Sequence, residues 1–157
     1  MSDSAGTWQE LREPVGRYLR SLGVSAEQAE EFTQETFYRA CEKGGTVQRG
    51  WVFRVAHNLA RDHQRMKTRR PVEPLAVVAD RRPSPERVLL EAERTSRLRA
   101  AMARLPETQR HCLQLRAEGL KYREIAEVLE APVSTVAEWV QTALRTLMEE
   151  CDDASSR

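Results

Sequence analysis

Apolar residues recur at helical spacing along most of the chain. Trp8, Leu11, Val15, Tyr18, Leu19 and Leu22 form the first stripe, with Pro14 inside it and Gly23 after it. The proline predicts a kinked or delayed helix, because it removes a backbone donor and crowds the preceding turn. Ser25 and Gln28, three residues apart, carry a capping-box signature for a second helix. Its apolar face holds Ala29, Phe32, Thr33, Thr36, Phe37 and Ala40, its outer side holds Glu27, Glu30, Glu31 and Glu35, and Gly44 and Gly45 stop it. A third stripe starts with Trp51, Val52, Val55, Ala56 and Leu59 and runs into the basic stretch from His63 to Arg70, closed by Pro71.

Between Pro71 and Pro85 the periodicity vanishes, and prolines stand at 71, 74, 83 and 85. This predicts a flexible linker and two bodies able to move relative to each other. Ser84, Pro85 and Glu86 read as an N-cap and first turn. Val88, Leu89, Ala92, Leu98, Ala101, Met102 and Leu105 then give a long helical stripe. A further helix starts at Leu105-Pro106-Glu107 and ends at Gly119; a short helix (about 121–129) and a longer one (about 134–149) follow. The expected fold is all-α: two small helical domains, residues 1–70 and 85–157, joined by a linker over 71–84.

The last two helices read as a helix-turn-helix. Tyr122, Ile125, Ala126 and Leu129 share a face of the short helix, and Val136, Val140, Ala143, Leu144 and Leu147 share a face of the next. Ala126 is small where the helices cross closely. The alternative is a tight helical hairpin in a bundle. The glycine usual in the turn is replaced by Glu130.

Composition adds exclusions. Leu, Ala, Glu and Arg dominate and β-branched and aromatic residues are sparse, so a large sandwich or barrel is not expected. The longest apolar run, Leu75 to Ala79, is far short of the roughly 20 residues of a membrane span. No basic run followed by an apolar core opens the sequence, so a cytoplasmic protein without a secretory signal is expected. Cys41, Cys112 and Cys151 are widely spaced and odd in number, which argues against a disulfide framework. His111 and Cys112 are expected as a helix-surface histidine beside a half-buried cysteine rather than metal ligands, since a structural zinc needs about four ligands at close spacing. No cofactor is implied. His57, His63 and His111 have no nucleophile or carboxylate at a persuasive catalytic spacing, so no enzyme is expected.

Charge is segregated. The net charge is only +1, yet residues 46–72 hold seven basic residues against one acidic. Residues 1–45 hold eight acidic against five basic, and residues 101–157 ten acidic against seven basic. A local basic stripe, rather than the global charge, is what a polyanion meets; the alternative is a solvated helix face.

Two stretches resemble the extracytoplasmic-function (ECF) sigma factors, the small two-domain class of bacterial sigma subunit. AEEFTQETFYRA (29–40) followed by WVFRVAHNLARDH (51–63) resembles conserved region 2. LPETQR (105–110), YREIAEVL (122–129) and Ser134-Thr135-Val136 resemble region 4. The resemblance implies binding of core RNA polymerase through its β′ clamp helices and β flap, recognition of promoter DNA, and an anti-sigma factor as a further partner, without membrane insertion. It implies that Glu31, Gln34 and Glu35 dock on the clamp helices. It implies that the helix from Trp51 grips the minus-10 element, with Asn58 holding a flipped base and Arg54, Arg61 and Arg65 meeting phosphates. The segment 43–50 matches the loop that forms the base pocket. Trp51 and Phe53 are aromatic candidates for stacking on captured bases, with a packed core role as the alternative for each.

The second helix of the helix-turn-helix matches the minus-35 reader, with Ser134 and Thr135 at its start. It departs from the family's basic pattern. Glu138, Gln141, Thr142 and Arg145 form its exposed face, and only Arg145 is basic. Glu138 suits cytosine N4 but repels phosphates. Lys121 and Arg123 offer compensation at the motif's entry. Three readings follow: a sigma subunit that directs promoter recognition and transcription initiation, a helix-turn-helix regulator acting without polymerase, and a protein-interaction adaptor with weakened minus-35 binding.

Overall fold

A computed structural model describes residues 3–66 and 85–155, with side chains over 9–66 and 85–153. Seven α-helices appear in order: α1 (Asp3–Ser21), α2 (Ala26–Lys43), α3 (Arg49–Met66), α4 (Pro85–Arg104), α5 (Glu107–Ala117), α6 (Tyr122–Leu129) and α7 (Val133–Ser155). No strand occurs among the described residues. The expected linker, its flanking basic residues 67–70 and the Ser84 cap lie outside them.

Local chemistry sets the helix ends. Ser25 Oγ accepts from the Gln28 N–H at 3.1 Å, opening α2. Gly44, at φ 66°, closes it by donating its N–H to Ala40 O. The turn after α6 is closed by Glu130 at φ 53° and ψ 50°, the one non-glycine residue at positive φ among those described. The chain thus puts a glutamate where a left-handed backbone favours glycine.

α1 is continuous across Pro14, contrary to the expected delay. The lost hydrogen bond is offset because Leu11 precedes the proline and Val15, Tyr18 and Leu19 follow it, all on the buried face. α4 departs from its stripe. Val88, Leu89 and Leu98 are exposed, and only Ala101 and Leu105 of the expected set are buried. Against the second half, α4 packs on α7, where Arg104 pairs with Glu150 at 2.7 Å, so its N-terminal turns find no apolar neighbour there.

The two halves share one core. Leu11, Val15, Tyr18, Leu19, Val52 and Phe53 from the first half join Cys112, Leu115, Leu120, Ile125, Val136 and Val140 from the second in a single buried cluster. Each large apolar side chain so removed from water contributes about 1.5–3 kcal/mol. The broadest inter-helix contact is between α3 and α6, across the halves. Gly50 lies at this contact: a Cβ there would displace the flexible Glu127 carboxylate and stand 3.6 Å from the Glu124 backbone. The His111–Cys112 expectation is corrected here, since Cys112 is fully buried and His111 largely so, because α5 lies between the halves rather than at an outer surface.

Candidate nucleic-acid and polymerase interface

α2 turns two faces in opposite directions. Ala29, Thr33, Thr36 and Ala40 are buried, and the two hydroxyls are satisfied by donating to Ala29 O and Phe32 O at 2.7 Å. Glu31 and Gln34 are exposed on the other side. Glu35 is half-exposed beside them and accepts from Arg39 Nε at 3.0 Å, one turn on. The three residues implied for polymerase docking therefore form one outward polar patch on a helix anchored by its inner face.

α3 carries the minus-10 candidates and divides them. Arg61 and Arg65 are exposed, while Trp51 and Asn58 are partly buried. Lys43 Nζ lies 4.5 Å from the Trp51 ring centroid, so the indole meets a cation at the mouth of the 44–48 loop. Phe53 is fully buried and packs edge-on to Tyr18 with centroids 5.8 Å apart. It cannot stack on a base in this arrangement, which corrects that candidate.

Arg54, about two-fifths exposed, is already engaged across the boundary. It pairs with Glu130, in the turn after α6. Arg49, five residues earlier and absent from the sequence-derived candidates, forms a two-pronged contact with Glu124 on α6, at 2.7 and 3.0 Å. The Arg49 contact holds the Glu124 carboxyl below its usual range, and Glu124 in turn raises Arg49. The Glu124 carboxylate also accepts from the Lys121 N–H at 2.9 Å, so one group caps α6 and grips α3. Farther along the boundary, Arg17 of α1 pairs with Glu118 at 3.0 Å, and its pKa is raised first by that bond. Gln114 Nε2 donates to Ser21 O at 3.0 Å. Periodicity gave no hint of these partners. The opposite charges of 46–72 and 101–157 were the available signal.

In the second half, Lys121 and Arg123 are exposed at the entry to α6. Ala126 is buried at the crossing with α7. Ser134 is exposed and Thr135 partly so, and Glu138, Gln141, Thr142 and Arg145 all face outward from α7. The exposed face expected from the sequence is thus present, with Arg145 its only cation. Among the described residues, no group of three or more His, Cys, Asp or Glu is arranged to hold a metal ion. No described helix is long and apolar enough to cross a membrane.

The described residues thus combine an outward acidic helix, a basic helix beside it and a helix-turn-helix. Residues 7–70 match the model of sigma-70 region 2, and residues 95–147 that of sigma-70 region 4. The chain is 31% identical over 149 residues to the RNA polymerase sigma-H factor of Pseudomonas aeruginosa, covering 80% of this chain and 77% of that protein. It is also 31% identical over 157 residues to the ECF sigma factor SigK of Mycobacterium bovis, covering 90% and 79%. Two solved structures share the fold. The sigma factor RpoE of Bartonella quintana, in complex with the anti-sigma factor NepR, aligns at a TM-score of 0.69 and 17% identity over 97% of this chain and 98% of that one. CnrH, in complex with the cytosolic domain of CnrY, aligns at 0.61 and 22% identity over 93% and 88%. The chain belongs to the ECF RNA polymerase sigma factors, regulatory subunits that bind core RNA polymerase and direct promoter recognition and transcription initiation.

Proposed function

We propose that α2 and α3 divide the two tasks of initiation between them. Glu31, Gln34 and Glu35 dock on the β′ clamp helices of core polymerase. Arg54, Arg61 and Arg65 hold the phosphates of the minus-10 strand, while Trp51 and Asn58 receive its bases. Phosphate contacts set register and a splayed base supplies sequence. The observation that carries this reading is the opposite charge of two neighbouring helices in one half: an outward acidic patch on α2 and exposed arginines on α3. An acidic helix suits a basic protein surface and a basic helix suits a nucleic acid.

The second half contributes α7 as a weak reader of the minus-35 element and the β flap as its polymerase contact, with Lys121 and Arg123 supporting Arg145. The domain division is 1–70 and 85–157, joined over 71–84. The protein acts in the cytoplasm, performs no catalysis of its own, and takes an anti-sigma factor as a further partner; one fold neighbour is a sigma factor in complex with such a protein. Arg54 is held by Glu130 in the arrangement described, so the two halves part before α3 meets DNA.

Reversing charge at Glu31 and Glu35 tests the docking half of this reading. Exposed substitutions usually change stability by no more than ~0.5 kcal/mol. The double variant is expected to melt near the parent temperature and to lose at least tenfold in competition for core polymerase. Undiminished competition would move the docking surface elsewhere.

A further inference from the structure

His57 of α3 and His111 of α5 meet at the boundary between the halves. Their rings lie edge to face, with centroids 5.1 Å apart. His57 is buried, and its Nδ1 is 2.7 Å from Tyr18 Oη on α1. Tyr18 is itself buried, and burial raises its pKa, so the phenol remains a protonated donor. With Tyr18 donating, Nδ1 accepts, which requires the neutral ring. The His111 side chain is only 13% exposed, and its Nε2 stands 3.8 Å from Glu107. Three helices from two halves thus converge on two imidazoles.

We propose that the His57–His111 couple is a proton-operated latch: neutral, it holds the halves together, and on mild acidification it takes up protons and lets them part. The charged groups facing the couple are Arg61 from α3, Arg110 and Glu107 from α5, and Glu130 from the turn after α6, with Tyr18 and Cys112 as weak acids nearby. Burial is the largest influence on both rings and pushes each down from 6.5 to about 4. His111 also disfavours a charge on His57, Arg61 adds to this against smaller opposing pulls from Glu107 and Glu130, and Arg110 disfavours a charge on His111. Parting the halves returns the rings toward water and toward their ordinary range.

A group whose pKa is depressed in the closed form favours that form fully above its open-form value, near 6.5. That preference is lost as pH falls toward 4. Arg49 holds the Glu124 carboxyl below its usual range, so the Arg49–Glu124 pair stays charged between pH 7.5 and 5.5. Two histidines that each regain an ordinary pKa shift the closed-to-open ratio by about a hundredfold between pH 7.5 and 5.5.

This inference rests on the preceding reading only for its consequence, the release of Arg54 toward DNA; the latch itself is tested without polymerase or promoter. Cys41 on α2 and Cys151 on α7 are exposed, whereas Cys112 is buried and its thiol is pushed up to about 11. A donor–acceptor dye pair on Cys41 and Cys151 of the full chain reports the separation of the halves. Energy transfer is expected to fall reversibly between pH 7.5 and 5.5, with helical circular dichroism retained. The His57→Gln/His111→Gln double variant is expected to lose that response, and His63→Gln, altering a ring that packs on Phe32 within the first half, to keep it. NMR titration of the parent's imidazoles covers the case in which the double variant fails to fold: His57 and His111 are expected to take up protons in step with the change in transfer. Constant transfer over this range, a full response in a folded double variant, or protonation of both rings while the halves stay together would overturn the latch.

Discussion

The two halves carry opposite electrostatic roles at their shared boundary. In each of the three ion pairs that cross it among the described residues, the first half gives the arginine and the second the glutamate: Arg17 with Glu118, Arg49 with Glu124, and Arg54 with Glu130. Glu124 and Glu130 hold two arginines of α3, Arg49 and Arg54, with carboxylates. The second half is poor in cations on the exposed face of α7 and rich in carboxylates on the face turned toward the first half. The comparison teaches that its charge pattern suits holding the first half at least as well as it suits a phosphate backbone.

The largest expected effect comes from neutralising that inward face. In the Glu124→Gln/Glu130→Gln variant, two partly exposed pairs are lost, each worth up to about 1 kcal/mol. If the open form is the minor one, its population and the apparent affinity for single-stranded minus-10 DNA rise together, by up to about thirtyfold. Fluorescence anisotropy with a labelled strand measures it. Unchanged affinity would mean that the carboxylates do not compete with DNA.

Within the first half, Asn58→Ala separates base capture from polymerase binding. An amide donates and accepts along a base edge, and its loss is expected to cost about 1–1.5 kcal/mol, near tenfold in open-complex formation. Permanganate footprinting with reconstituted holoenzyme reads the opening, and competition for core enzyme should be unaltered. A large drop in melting temperature would instead assign partly buried Asn58 to packing.

The smallest effect belongs to the second half. Glu138→Lys removes one repulsive charge from α7 and adds one attractive one. A severalfold gain in duplex minus-35 binding is expected, with the salt dependence steeper by about one unit of slope. No change in either would mean that this face of α7 does not meet DNA, and would favour the adaptor reading for this half.

Much of this architecture was legible in the sequence. Helices α2 and α6 follow their apolar stripes, α7 does so except at exposed Leu144, and the exposed set on α7 follows from stepping around a helix. What escaped was non-local. Arg17 and Glu118 stand 101 residues apart, Arg54 and Glu130 76 apart, and no local period encodes such pairs. The same limit hid the common core: the linker composition implied two separable bodies, while Val52 and Phe53 on one side and Leu120 and Ile125 on the other were available to each other all along. α4 failed in the reverse direction. Its stripe was real, but a stripe states that a partner is wanted, not that the chain supplies one.

Glu130 sits in a left-handed turn that costs a residue with a Cβ about 1–2 kcal/mol, and its carboxylate holds Arg54. The backbone of the helix-turn-helix would be better served by glycine, and the boundary by glutamate, so local and global stability are opposed at one position. A glycine there would relax the turn while loosening the halves, giving a second half more resistant to heat within a protein less restrained as a whole. Melting temperature and readiness to open are therefore separable properties of this chain, and selection acting on one need not drag the other with it.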